Sequence, residues 1–279
     1  MKALCAVPGL TLLAACALGA ASSWAPRAPA QAAAQAPGTD VAAKLAEAFA
    51  AEGILLDVAA GLAAVPAEVL ERGELLEYLI VSPRGAAHES AFLTSISASR
   101  IHAALLALGA EPGRNARWSR RDPPPTPEEL RDGVPAWDVT PPEGDGFYLY
   151  VGWKLDGEVH FHRMEDLILD LRTGATMRRH RWVFLGSRLV KLRTGEEAFA
   201  ADLEGNLVSI AFFEAGNTLL TGALLECADQ TIWQSNFWLL PERESPVEIV
   251  FARERLAACP PGIEARLREA IRVAPRESR

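Results

Sequence analysis

The sequence predicts a β-rich α+β fold, an antiparallel sandwich or open barrel with one or two packed helices. Three observations carry this. Short apolar and aromatic runs recur between turn signals from Ile54 onward, and Asp156-Gly157 joins two alternating segments as a hairpin dipeptide would. Helical periodicity is confined to segments at 40–51, 98–108 and 263–271.

In chain order, Val41, Leu45 and Phe49 recur every four positions and Gly53 stops that pattern. Residues 54–60 and 62–70 are apolar runs divided by Gly61 and read as strands. A strand follows over 74–82, with Leu76, Tyr78 and Ile80 on one face and Leu75, Glu77, Leu79 and Val81 on the other. Glu77 therefore falls among apolar neighbours. Ser97 is placed to cap a helix over 98–108, with Ile101, Leu105 and Leu108 as its stripe and Gly109 at C′. Residues 111–146 carry eight prolines and no periodicity, which reads as a long loop inside the domain. Beyond it, Phe147, Leu149, Val151 and Trp153 alternate with Tyr148, Tyr150 and Lys154, and a return strand covers 158–164. Residues 181–192 read as a strand bent at Gly186, and Glu204-Gly205-Asn206 reads as a second hairpin turn between 198–202 and 207–213. Strands over 218–225, 232–240 and 247–253 continue the series before the helix at 263–271.

Hydrophobic residues make up 49% of the 279 and charged residues 23%, which excludes wholesale disorder and a multi-span membrane protein. With 28 Lys and Arg against 36 Asp and Glu, the formal charge of −8 argues against a nucleic-acid partner held by phosphate neutralisation. Lys2 and the apolar residues 3–15 have the pattern of an export signal, too short to cross the ~30 Å of a bilayer core. Leu13-Ala14-Ala15-Cys16 resembles the lipobox of bacterial lipoproteins, in which the cysteine is diacylated and becomes the new N-terminus. On that reading 1–15 is a signal peptide and Cys16 ties the chain to the membrane; on the alternative, ordinary secretion, 1–21 is removed. Either way the expectation is an exported protein, periplasmic or membrane-anchored. Residues 16–39, almost all Ala, Pro, Ser and Gln, have little to bury and read as a flexible tether, leaving 40–273 as a single domain.

Within that domain only Cys227 and Cys259 remain. A disulfide between them would close a loop of about 33 residues and contribute roughly 3–4 kcal/mol; two separate buried thiols are the alternative. No closely spaced cysteine set occurs, so a cysteine-held cluster or zinc is not expected, and no cofactor is expected.

Glu77, His88, Glu89 and Ser90 are the candidate catalytic residues: a carboxylate can orient a histidine, and a nearby hydroxyl can be activated by it. The competing reading is a polar network bracing a turn. His160 and His162 flank Phe161 on one strand face, about 6.6 Å apart, and are weak metal candidates if Asp166 or His180 supplies a third ligand. Arg172, Arg178, Arg179, Arg181, Arg188, Lys191 and Arg193, with His180, form a local basic region, read as a solvated face bridged to carboxylates. Exposed indoles stack on sugar rings; Trp153 and Trp182 sit in apolar alternations, whereas Trp118 and Trp137 are better placed for exposure. No Gly-rich phosphate loop or Gly-x-Ser-x-Gly elbow occurs.

Several segments together carry a resemblance. They are 73–79 (GELLEYL), His88-Glu89-Ser90, 100–106 (RIHAALL), 108–113 (LGAEPG), 182–187 (WVFLGS) and 201–205 (ADLEG). Their order and spacing resemble the YdjY-domain proteins, exported bacterial proteins, over roughly 53–251. The resemblance implies export and no established activity; a ferredoxin-like label attached to the family's namesake does not suit a chain without the cysteines. The leading expectation is a non-catalytic cell-envelope module with a protein or envelope-polymer partner. The alternative is a hydrolase or metal-dependent enzyme using His88, Glu89 and Ser90, or His160 and His162.

Overall fold

The computed structural model describes residues 39–70 and 73–269. The expected signal peptide, Cys16 and the tether up to residue 38 lie outside them, as do residues 270–273 of the expected domain. In chain order the strands are β1 (Leu55–Asp57), β2 (Leu62–Val69), β3 (Tyr78–Val81), β4 (Ser90–Leu93), β5 (Arg117–Arg120), β6 (Trp137–Thr140), β7 (Gly146–Leu155), β8 (Glu158–Arg163) and β9 (Ile168–Asp170). They continue with β10 (Ala175–Thr176), β11 (Trp182–Phe184), β12 (Leu189–Lys191), β13 (Glu197–Phe199), β14 (Asn206–Ser209), β15 (Leu220–Thr221), β16 (Trp233–Ser235) and β17 (Pro246–Ala252). The helices are α1 (Thr39–Ala50), α2 (Ala98–Ala107), α3 (Pro127–Arg131), α4 (Ala200–Glu204) and α5 (Pro261–Glu269).

Eight strands close into a barrel in the order β2–β17–β7–β11–β15–β14–β3–β4, and Glu68↔Leu93 with Val69↔Phe92 joins β4 back to β2. Neighbours are antiparallel except β14 with β15 and β3 with β4. The β-rich α+β class stands, and the sheet closes, which pairs the edges an open barrel would leave free. Two long strands make closure possible. β2 meets β1 near its start and β4 at its end along one edge, with β17 along the other. β7 does the same with β11 and β8 against β17. Smaller ladders (β10–β9–β16, β12–β13 and β5–β6) sit outside the ring.

Period-two alternation sorts the side chains. Phe147, Leu149, Val151 and Trp153 join Trp182, Phe184 and Phe251 in the main core, and each such buried side chain contributes about 1.5–3 kcal/mol. The opposite faces of β2, β7 and β17 carry Leu62, Ala64, Tyr150 and Val250 against Ile263 and Leu267 of α5. A Cβ on Gly152 would stand 2.7 Å from the Leu267 Cδ1, so only glycine lets α5 lie this close without displacing that leucine.

Several expected elements are corrected. The strand expected over 74–82 begins only at Tyr78: Leu75 is 47% exposed and bridges Gln234, and the Glu77 carbonyl accepts from both Ile210 and Ala211 at a register shift in β14. The strand expected over 181–192 is two strands in different sheets, parted at Gly186 and Ser187, which have φ of 74° and 56°. Glu204-Gly205-Asn206 is no hairpin turn. Gly205, at φ 79°, ends helix α4 through an N–H donated to the Ala201 carbonyl, because a residue that tolerates positive φ terminates helices as readily as it turns strands. The expected loop 111–146 holds the β5–β6 ladder and helix α3, which opens with a reciprocal Thr126–Glu129 capping box. Gly109, at φ 74°, ends α2 as expected, but the Ser97 hydroxyl makes no cap bond.

Candidate functional site

Of the residues nominated for catalysis, Glu77, His88 and Glu89 lie near one another and Ser90 is turned away from them. Ala87–Glu89 forms a short 3-10 turn that carries His88 and Glu89. The His88 side chain is 83% exposed, with its Nε2 3.7 Å from the Glu89 carboxylate. Ser90 faces the other way, wholly buried on β4, and its Oγ donates to the Ala86 carbonyl at 2.5 Å. Glu77 is half-buried; burial and the neighbouring Glu89 charge raise its carboxyl above the ordinary range, opposed by His88. Backbone pairing accounts for the proximity, since the Glu77 N–H donates to the Glu89 carbonyl. This is the braced turn of the competing reading.

His160 and His162 share a face of β8, as expected, and both are half-buried. Both rings stack on Trp153 of the core, at 5.6 and 5.0 Å, and lie 6.3 Å from each other. Burial keeps His162 below the usual imidazole range, reinforced by His160 and opposed by Asp166, and its Nε2 is buried without a partner. The third ligands are engaged elsewhere. Asp166 takes a bidentate contact from Arg179, and His180 packs on Trp182 with its Nδ1 3.0 Å from the Arg178 carbonyl. Among the described residues no three His, Cys, Asp or Glu side chains group to hold a metal.

Of the two alternatives for Cys227 and Cys259, the bridge is not formed. Both are free: Cys227 lies in the main core, whereas Cys259 packs with the cluster under α5. The basic region behaves as read. Arg172 pairs with Asp170, Arg178 with Glu226 and Arg179 with Asp166, while Arg188 donates to the Asn217 amide oxygen.

Open space gathers instead at the expected loop. On the β5–β6 ladder the pairs Trp118↔Val139 and Arg120↔Trp137 project from one face, and Arg117, Ser119, Asp138 and Thr140 from the other. The first face lies over the Leu225–Ala228 turn and the segment carrying Phe212 and Phe213. Trp118 meets Phe212 edge-on at 6.4 Å, and the Arg120 guanidinium covers the Trp137 ring at 5.2 Å. Between the ladder and the Leu225–Ala228 turn lies a hollow of about 860 Å³, walled by Trp118, Trp137, Arg178, Leu225, Glu226 and Gln230. Three further hollows share its walls. One of about 450 Å³ shares both tryptophans and adds Phe212 and Phe213; one of about 280 Å³ continues past Arg172 and Arg178 to Asp170. The last, about 410 Å³, runs from Trp118 to Arg114, Asn115 and Glu214.

The charges lining these hollows are largely neutralised in place. Arg178 reaches both Glu226 oxygens at 2.7 and 2.8 Å, Arg172 reaches both Asp170 oxygens at 2.8 and 3.1 Å, and Arg114 pairs with Glu143. The Arg172 hydrogen bonds hold the Asp170 carboxyl below its ordinary range, and its own backbone N–H, then Arg178, does so for Glu226. Sequence reading noticed Trp118 and Trp137 but missed the ladder that aims them; the alternation in Arg117-Trp118-Ser119-Arg120 and in Trp137-Asp138-Val139-Thr140 was the available signal.

Comparison with known proteins gives one match: the family model described as the YdjY domain covers residues 54–252. No curated protein and no solved structure matches the chain.

Proposed function

The chain belongs to the YdjY-domain family, and from that premise we propose that it is an exported, lipid-anchored cell-envelope protein whose domain is a non-catalytic binding module. The groove between the β5–β6 ladder and the Leu225–Ala228 turn is its binding face. One observation carries this reading: the two larger hollows of the groove meet at Trp118 and Trp137 and the other two adjoin them, whereas Ser90, His162 and His180 are occupied in packing and bracing. A concave, mostly apolar site with a few polar groups is the general form of a ligand site, and about 860 Å³ falls within the range such sites occupy. Lys2, the apolar residues 3–15 and Leu13-Ala14-Ala15-Cys16 support export and lipidation.

Two measurements test the two halves of the reading. In cell fractionation, the native protein stays with the membrane and Cys16→Ser releases it; membrane retention of that variant, or a mature N-terminus at residue 22 by mass spectrometry, overturns lipidation. In sedimentation with isolated cell envelopes, the purified protein pellets and Trp137→Ala loses most of that binding. Equal pelleting by Trp137→Ala overturns the groove as binding face.

A further inference from the structure

Resting on the groove as the binding face, we infer that its ligand is a neutral glycan chain. The indoles supply the first reason. Pyranose rings present patches of C–H that lie against aromatic faces, and Trp118 and Trp137 are both walls of the two largest hollows, with Trp137 44% exposed. Arg120 lies over one face of the Trp137 ring, at 5.2 Å.

Charge supplies the second reason. An anionic polymer needs unpaired cations, but Arg114, Arg172 and Arg178 face the groove already bound to Glu143, Asp170 and Glu226, which leaves Arg117 alone among the wall arginines. Glu214 and Asp229 add further carboxylates to the walls, and the whole chain carries −8. A cationic ligand meets the converse obstacle in Arg117, which makes no ion pair among the described residues. What remains is neutral hydrogen bonding. The Gln230 amide, which makes no hydrogen bond among the described residues, lies in the walls of both large hollows and offers a donor and an acceptor to hydroxyls. A peptide added as a strand needs a free sheet edge, whereas the ladder turns its side-chain face to the groove; a proline-rich peptide, which aromatic grooves also accept, is the competitor the test must include. Contiguity of the hollows fits a ligand of several rings.

The experiment is a titration of the purified full-length protein followed by tryptophan fluorescence and calorimetry. The probes are cellohexaose and chitohexaose as neutral chains, a hexagalacturonate as the anionic chain, and a proline-rich decapeptide. At least one neutral hexamer is expected to bind, more tightly than its dimer, with affinity insensitive to salt. Trp137→Ala should weaken that binding on the order of tenfold, about 1.4 kcal/mol, with unchanged circular dichroism, and Gln230→Leu should weaken it too. Binding of neither neutral hexamer overturns the inference, as does preference for the hexagalacturonate or the peptide. If the envelopes still pellet the protein through Trp137 in those cases, the groove reading stands and only the glycan falls. A neutral hexamer that binds Trp137→Ala at full strength overturns both.

Discussion

The indole N–H of Trp182 donates to the Glu165 carboxylate at 3.2 Å, and neither side chain reaches solvent. Arg163 forks onto the same carboxylate at 2.6 and 2.9 Å, and its guanidinium lies over Tyr148 and Tyr150. The His180 backbone N–H donates to Glu165 as well. This knot ties β8, β11 and the 3-10 turn Met164–Leu167 to one point beside β7. Removing one member of a buried ion pair leaves the other charged and unpaired. Glu165→Leu is therefore expected to cost about 3–5 kcal/mol in urea unfolding, and the double change Arg163→Met with Glu165→Leu should recover a large part. A loss below about 1 kcal/mol for the single change contradicts the assignment.

Burial holds His162 and His180 below the ordinary imidazole value of 6.5, against the opposing charges of Asp166 and Glu165 respectively. The unfolded chain then takes up protons at a higher pH than the folded one. Stability from these groups is complete above about pH 6.5 and declines as the pH falls below it. Glu248 works in the other sense: burial raises its carboxyl, so the folded form takes that proton first and gains on acidification. Urea midpoints should fall between pH 7 and 5.5, and His162→Phe, which keeps a ring against Trp153, should flatten that fall. A variant with the native slope removes His162 from the account.

How much of this was legible from the sequence follows from how local each cause is. Asp156-Gly157 was read correctly because a two-residue turn, with Asp156 at φ 50° and Gly157 at 88°, needs no distant partner. Glu204-Gly205-Asn206 was misread because the same positive-φ glycine serves a helix end. Trp118 and Trp137 were singled out, yet the groove they wall takes its opposite side from Leu225, Glu226 and Gln230, and nothing in the spacing joins those segments. Glu165 went unnoticed for a like reason. It follows a strand whose alternation implied nothing of Arg163 doubling back onto it, and Trp182 arrives from another strand.

Cys227 and Cys259, unbridged, give a chemical prediction. Burial pushes the Cys227 thiol up to about 12 and the Cys259 thiol up to about 11. Both are thus almost entirely protonated at pH 8, and thiolate is the reactive form. Native protein should react slowly with a disulfide reagent at that pH, Cys227 most slowly, and both should react fast in urea. A Cys227–Cys259 cross-linked peptide in an unreduced digest would refute this.

Helix α2 provides a test in which two polar residues at its start have unequal expected effects. Ser97 holds the extended N-cap backbone, at φ −65° and ψ 149°, but its hydroxyl lies 3.3 Å from the Ser99 hydroxyl and bonds no helix N–H. The Ser99 N–H is instead satisfied by Asp202, whose Oδ1 accepts it at 3.1 Å from the first turn of α4. The carboxylate there also sits at the positive end of the α2 dipole. Loss of such a cap costs about 1 kcal/mol, so Asp202→Ala should lower unfolding stability by that amount and Asp202→Asn by less, since the amide oxygen still accepts. Ser97→Ala should stay within a few tenths, because the hydroxyl it removes caps nothing. If Ser97→Ala proves the costlier of the two, the helix is capped by its own chain, and the contact that joins α2 to α4 carries no stabilising role.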